Sequence, residues 1–241
     1  YYLNYEVDSS KTSTLQFKGY QDTLVKSEVT GLDRLQYNRN KPYTKEVTYY
    51  NYFQPKDTVN VPKAYVIPQG WWQVIDLLKA NHIEMQRLEK DTILNVEAYK
   101  ITDYKTRQNA YEGHYQHYDT KVEAYTEKVR FRAGDFVVST QQEGIRYLLE
   151  TLEPIANDSF FNWNFFDTVL QQKEHFSPYV FEDKALQILS TDSILKRNFD
   201  SIKKADRNFR KNWYSQLDWI HKHSEHYEKA HLRYPIFRML N

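Results

Sequence analysis

The chain has 241 residues, 33 Lys and Arg against 32 Asp and Glu, no Cys, and an aromatic content of 16%. That length can bury a sizeable core as one large domain or two small ones. The balanced, interspersed charges create no long-range field, so neither nucleic acid nor a membrane surface is expected as a partner. The absence of cysteine removes disulfides, thiolate metal ligands and thiol nucleophiles, but it leaves the compartment open. No apolar run approaches the roughly 20 residues that cross a bilayer. The chain opens on Tyr1-Tyr2 without Met or a signal segment, the start expected after processing or excision from a longer polypeptide. Its density of aromatics favours β-structure and thick packing layers, and it also suits sugar or peptide binding.

Residues 1–62 lack helical periodicity and carry extended signals, among them Thr14-Leu15-Gln16-Phe17 and Val47-Thr48-Tyr49-Tyr50-Asn51-Tyr52-Phe53. An extended segment of strands and long loops is expected there. Asn38-Arg39-Asn40-Lys41-Pro42-Tyr43 has turn composition and should separate two strand segments. Residues 63–140 read as a mixed α/β core. Tyr65-Val66-Ile67 predicts a short buried strand, and Pro68-Gln69-Gly70 punctuates it before a helix. Trp71, Val74, Ile75 and Leu78 fall at i, i+3, i+4 and i+7, the spacing of one apolar helix face, and the helix should end near Asn81.

A strand follows with Leu94, Val96 and Ala98 on one parity. Another carries Tyr125, Val129 and Phe131 on one parity and Lys128, Arg130 and Arg132 on the other. One dry face beside one wet face predicts antiparallel pairing. Ala133-Gly134-Asp135 is expected to turn the second strand into Phe136-Val137-Val138 as a hairpin. Residues 141–241 read as mainly helical, packed with the preceding segments as one unit. Ile145, Leu148, Leu149 and Leu152 repeat the helix spacing up to Pro154. Asp183 to Leu189, then Leu195, Phe199 and Ile202, give further amphipathic turns with Asp192 as the N-cap of the second. Trp213, Leu217 and Ile220 mark a last helix that Tyr234-Pro235 ends. The predicted class is α+β, with a β-rich, mostly antiparallel N-terminal and central part and a helix-rich C-terminal part.

The chemistry of the common hydrolases is missing from this pattern. Zinc hydrolases need His and carboxylate ligands at spacings such as His-x-x-Glu or His-Glu-x-x-His, and none of the 8 His begins such a motif. Two His-x-x-His pairs remain, His114/His117 and His223/His226. The first is expected in a strand or loop, where residues i and i+3 of one strand leave opposite faces. The second lies among charged residues at a helix end. With only 6 Gly there is no phosphate-cradling loop, and no Gly-x-Ser-x-Gly elbow occurs. Acid pairs such as Glu182-Asp183 read as solvated surface. No catalytic, cofactor-binding or metal residue is therefore assigned in this chain.

One long pattern is specific as an ensemble. Ala64-Tyr-Val-Ile-Pro-Gln-Gly-Trp71-Trp-Gln-Val-Ile-Asp-Leu-Leu78 is followed in order by Tyr111-Glu-Gly-His-Tyr-Gln-His117, Gly134-Asp-Phe-Val-Val138 and Leu148-Leu-Glu-Thr-Leu-Glu-Pro154. Asp158-Ser-Phe-Phe-Asn-Trp-Asn-Phe-Phe-Asp167, Tyr179-Val-Phe-Glu-Asp183 and Tyr227-Glu-Lys-Ala-His-Leu-Arg-Tyr-Pro235 come after these. The ensemble resembles the C-terminal, non-catalytic region of zinc carboxypeptidases of Bacteroidetes-like bacteria, over nearly the whole chain and less closely in the first 60 residues. The resemblance implies a secreted or periplasmic exopeptidase polypeptide that removes C-terminal residues from peptides. It implies that zinc and its ligands belong to an upstream catalytic domain, the expected partner of this piece, and that a peptide is the expected substrate.

Two other readings compete with an accessory module of that kind. A glycan-binding β-rich module would use flat aromatic platforms such as Trp71, Trp72, Trp163 or a Tyr49-Tyr50-Tyr52 strip. An independent hydrolase would need His114 and His117 to converge with carboxylates such as Glu112 and Asp119. Phe160, Phe161, Phe165 and Phe166 are expected in a structural turn-and-core element, because together they are too apolar to leave in water.

Overall fold

The computed structural model describes residues 1–240, and their contacts fall into two compact units, Tyr1–Asn60 and the chain from Val61 onward. In the first unit β1 (Tyr2–Val7) pairs antiparallel with β4 (Phe53–Thr58), so the two ends of the unit meet. Between them runs a long hairpin of β2 (Ser13–Lys26) and β3 (Asp33–Tyr49). Its turn closes where the Ser27 N–H donates to the Leu32 carbonyl, with Gly31 at φ +69° supplying the left-handed residue.

The chain does not turn at Asn38–Tyr43. That stretch lies inside β3, where Gln21 faces Asn38 and Tyr20 faces Pro42, leaving residues 39–41 as a bulge. The turn-like composition marks an interrupted ladder, a place where proline's missing donor does no harm. Opposite the bulge, the ring of Tyr43 covers Gly19 so closely that a Cβ there would sit 2.8 Å from its Cζ atom.

The second unit is built on a six-stranded sheet in the order β6-β9-β5-β10-β7-β8. The strands are β5 (Ala64–Ile67), β6 (Gln86–Arg87), β7 (Thr92–Thr106), β8 (His117–Phe131), β9 (Phe136–Ser139) and β10 (Phe237–Met239). Every pairing is antiparallel. Val66, Val96, Ala98, Phe131 and Phe237 form the buried core on this sheet. With helices concentrated late in the chain, the fold is α+β.

One expectation about pairing fails here. The turn at Ala133-Gly134-Asp135 exists, with Gly134 at φ +96°, but it joins strands that are not neighbours. β8 pairs with β7, while β9 crosses to β5 and β6. The Asp135 carboxylate ties the turn down instead, accepting from the main-chain N–H groups of Gln69 (2.9 Å) and Arg132 (2.7 Å). The chain's last strand was also unexpected. Phe237-Arg238-Met239 enters the middle of the sheet between β5 and β7.

The first helix, α1 (Trp72–Ala80), buries Val74, Ile75 and Leu78 as their spacing predicts and ends at Asn81. Trp71 is not on that face. It is the residue before the helix, half-buried, with its ring set edge-on to Phe166 at 4.8 Å. Trp72 is 62% exposed. α2 (Ile145–Leu152) buries Leu148, Leu149 and Leu152 and stops two residues before Pro154.

Four helices follow: α3 (Pro178–Thr191), α4 (Ser193–Ala205), α5 (Arg207–Lys211) and α6 (Trp213–Lys222). Phe181, Ala185, Phe199, Leu217 and Ile220 make their common core. α6 stops at Lys222, well before Tyr234-Pro235, and Trp213 at its start is exposed. The joints between these helices are single residues. Asp192, Asp206 and Asn212 each end one helix and cap the next, their side-chain oxygens accepting from N–H groups of the following first turn. Asp192 receives both Ile194 and Leu195 at 2.9 Å, so Asp192→Ala is expected to cost about 1 kcal/mol, measured as a lowered denaturation midpoint. No helix among the described residues is long and apolar enough to cross a membrane.

Candidate functional site

The hairpin of β7 and β8 narrows at its open end into a tight turn. Tyr111 and His114 exchange main-chain hydrogen bonds of 2.9 Å, with Glu112 and Gly113 both at positive φ between them, the geometry that Gly at such a position makes accessible. This turn separates His114 from His117, which opens β8, so the two do not share a strand. Both reach the segment 158–167. His114 Nδ1 is 2.6 Å from Asn164 Oδ1, and His117 Nε2 is 2.9 Å from Asp167 Oδ1. Asn164, held at φ +54°, donates in turn to Asp167 Oδ2 at 3.4 Å.

His117 is the buried centre of this network. Its Nδ1 lies 2.9 Å from the Thr106 hydroxyl, its directly opposed strand partner, and its ring packs on Tyr104 and Phe161 with centroids about 5 Å away. A hydroxyl, an imidazole and a carboxylate in that order is the arrangement that activates nucleophiles. Here both ring nitrogens are engaged, so neither is left for a metal. The neighbouring bonds point to a clamp: the His117 N–H donates to the Asn162 carbonyl at 2.7 Å, the Thr120 hydroxyl donates to Asn162 Oδ1 at 2.7 Å, and Asn162 Nδ2 donates to the Ala156 carbonyl at 2.8 Å. The polar groups of a sharply folded segment are thereby satisfied, and its aromatic side chains are held inward. Phe160, Phe161 and Phe166 are buried, with Phe165 stacked on His114.

The acid in this cluster is not one of those near it in sequence. Glu112 is exposed in the turn, and Asp119 pairs with Lys105 at 2.8 Å. Asp167, fifty residues further on, takes the position, with no local motif to announce it. The other His pair is split. His223 stacks on Trp219 and its Nδ1 contacts the Trp219 carbonyl at 2.7 Å, while His226 faces Phe181. Among the described residues no group of three or more His, Asp or Glu is placed to hold a metal ion. The aromatic platforms are likewise dispersed: Trp163 packs beside Tyr111 and His114, and Tyr49 ends β3 while Tyr50 and Tyr52 lie beyond it.

A second polar assembly lies under the sheet. Glu153, at the end of α2, is fully buried; it accepts the Tyr65 hydroxyl at 2.6 Å and pairs with Arg238 Nε at 3.0 Å. Arg238 also bonds Glu97 on β7. Burial pushes the Glu153 carboxyl pKa up, and Arg238 and the Tyr65 hydroxyl pull it back. The assembly welds α2, β5, β7 and β10 together.

Against this geometry, no family model and no solved structure matches the chain. Over 101 residues, 41% of its length, it is 30% identical to Carboxypeptidase 2 of Trichophyton tonsurans and to Carboxypeptidase 2 of Trichophyton equinum. The similarity is to carboxypeptidases, and it is distant and partial. The chain spans 18% of the length of each of these relatives.

Proposed function

We propose that this chain is a non-catalytic accessory portion of a larger zinc carboxypeptidase, secreted or periplasmic, that supports an upstream catalytic domain or shapes the access of peptides to it. The observation that carries the reading is the 30% identity to Carboxypeptidase 2, confined to 18% of that protein's length. The closed geometry around His117 supports it, since the residues best placed for chemistry are spent on holding the 158–167 segment. Zinc would then be held by the catalytic domain, and the substrate would be a peptide cleaved at its C-terminal residue.

The test compares three proteins: the full polypeptide, the same polypeptide lacking these 241 residues, and this chain alone. The chain alone is expected to release no C-terminal residue and to keep no stoichiometric zinc after dialysis. The full polypeptide should do both, and removing this portion should lower kcat/KM for long peptides more than for short ones. A specific observation favours one rival, the ordered contact of Thr106, His117 and Asp167. Cleavage by the isolated chain that vanishes in Thr106→Ala and His117→Ala would replace the accessory reading with a hydrolase built on those residues.

A further inference from the structure

The helical half of the second unit carries an open hollow of about 260 Å³ at the start of α3. Its polar lining comes from His175, Lys184, His221 and His226, with no carboxylate among the lining residues. Four acids adjoin lining residues in sequence, Glu174, Glu182, Asp183 and Glu225, and none of them is in the lining; of the next nearest, Asp218 pairs with Lys222 at 2.7 Å and Glu228 accepts the main-chain N–H groups of Lys173 and Glu174. Ser177, also in the lining, is the N-cap of α3, yet its hydroxyl makes no capping hydrogen bond. The N-terminal end of the 14-residue helix α3, where Tyr179 is the first residue with an N–H and Val180 and Phe181 donate back to the Ser177 carbonyl, lies at the same hollow as the Lys and the imidazoles.

The remaining wall is apolar. Phe176 and Phe181 stand 4.9 Å apart, and both contact the His221 ring, at 5.2 and 5.3 Å. His221 is only 3% exposed, and its Nδ1 has no hydrogen-bond partner. Burial lowers its pKa from the ordinary histidine value, against the pull of Asp218, and so favours the neutral imidazole. Lys184 is then the permanent cation, assisted by the roughly half charge of a helix N-terminus. That balance matches a monoanion better than a dianion. The volume lies below the roughly 300–1,000 Å³ of drug-sized sites, which suits one bulky apolar group.

We propose that this cavity binds a monocarboxylate bearing one bulky apolar group, the C-terminal residue of a peptide, with the carboxylate toward Lys184 and the α3 N-terminus and the side chain against Phe176 and Phe181. The choice of a peptide over a free small acid rests on the carboxypeptidase reading; the preference for an apolar carboxylate rests on the cavity alone. Binding is measured by calorimetry on the whole chain with four probes: a pentapeptide ending in Phe, the same peptide amidated, 3-phenylpropionate, and inorganic phosphate. The free-acid peptide and 3-phenylpropionate should bind, the amide should bind about tenfold or more weakly through loss of a charge-assisted contact, and phosphate should not displace the peptide.

Lys184→Met, at an exposed position, should weaken the peptide by a similar factor with an unchanged circular dichroism spectrum. Val180→Asp, at a half-exposed position of the first turn where a negative charge favours the helix, should repel the carboxylate without unfolding it. Equal binding of acid and amide, displacement by phosphate, retention of affinity in both variants, or no binding of either carboxylate overturns the proposal. Binding of 3-phenylpropionate without the peptide assigns the cavity to small free acids and overturns the peptide assignment. These outcomes are independent of the cleavage comparison above, so either reading can fail while the other stands.

Discussion

Replacing Arg238 with Met is expected to lower the stability of the second unit by about 3–5 kcal/mol, because it strands the buried Glu153 carboxylate without its counter-ion. The sign of the pH dependence is an independent check. Without the guanidinium, the folded pKa of Glu153 rises further above its unfolded value, so the folded state binds a proton more tightly than the unfolded chain does. The variant's deficit relative to wild type should be smallest at acid pH, where Glu153 is neutral in both states, and should grow as pH rises through the folded pKa. Adding Glu153→Gln to Arg238→Met removes the stranded charge and should recover most of the loss. Urea unfolding of the four proteins at several pH values measures the whole cycle. A single-variant loss under about 1 kcal/mol would put Arg238 among ordinary surface ion pairs and remove its role as a weld.

Phe166→Ala should be comparably damaging. Its ring is fully buried and sits edge-on between Trp71 at 4.8 Å and Tyr234 at 5.4 Å, so deleting it opens a cavity beneath the entry to α1. Such a truncation costs about 3–5 kcal/mol when the surroundings cannot collapse. Phe165→Ala removes a half-buried ring that touches His114 and Phe160, and should cost about half as much. Denaturation midpoints followed by tryptophan fluorescence would report both, since Trp71 and Trp163 lie at the two rings or close by. Equal losses for the two variants would contradict the inside-outside division of this segment.

Local patterns were legible and long-range partnerships were not. The i, i+3, i+4 spacing placed Val74, Ile75 and Leu78 on the buried face of α1, and Asp192 was readable as a cap because both features depend on residues within one turn. Trp71 fits the same spacing, yet the helix begins one residue after it and its ring belongs to Phe166 instead. Gly134 disclosed a reversal, but nothing in a turn says which edge the outgoing strand will join, and β9 pairs with β5 from about seventy residues earlier. β10 was hidden for a different reason. A three-residue strand with a charged residue at its centre has no usable alternation, and Arg238 is tolerated there only because Glu97 and Glu153 wait for it. The His114 and His117 cluster was half legible: the imidazoles were visible as a pair, while Asp167 and Asn164 could be matched to them only in three dimensions.

The place of β10 between β5 and β7 has a consequence for how the protein is made. During synthesis residues 61–236 leave the ribosome first, and until Phe237–Met239 follows, the facing edges of β5 and β7 have no strand between them. A sheet split in this way exposes two unpaired ladders and the apolar faces of Val66 and Val96, the features that recruit chaperones or other nascent chains. The six-stranded sheet of the second unit can therefore be completed only after translation has passed residue 239.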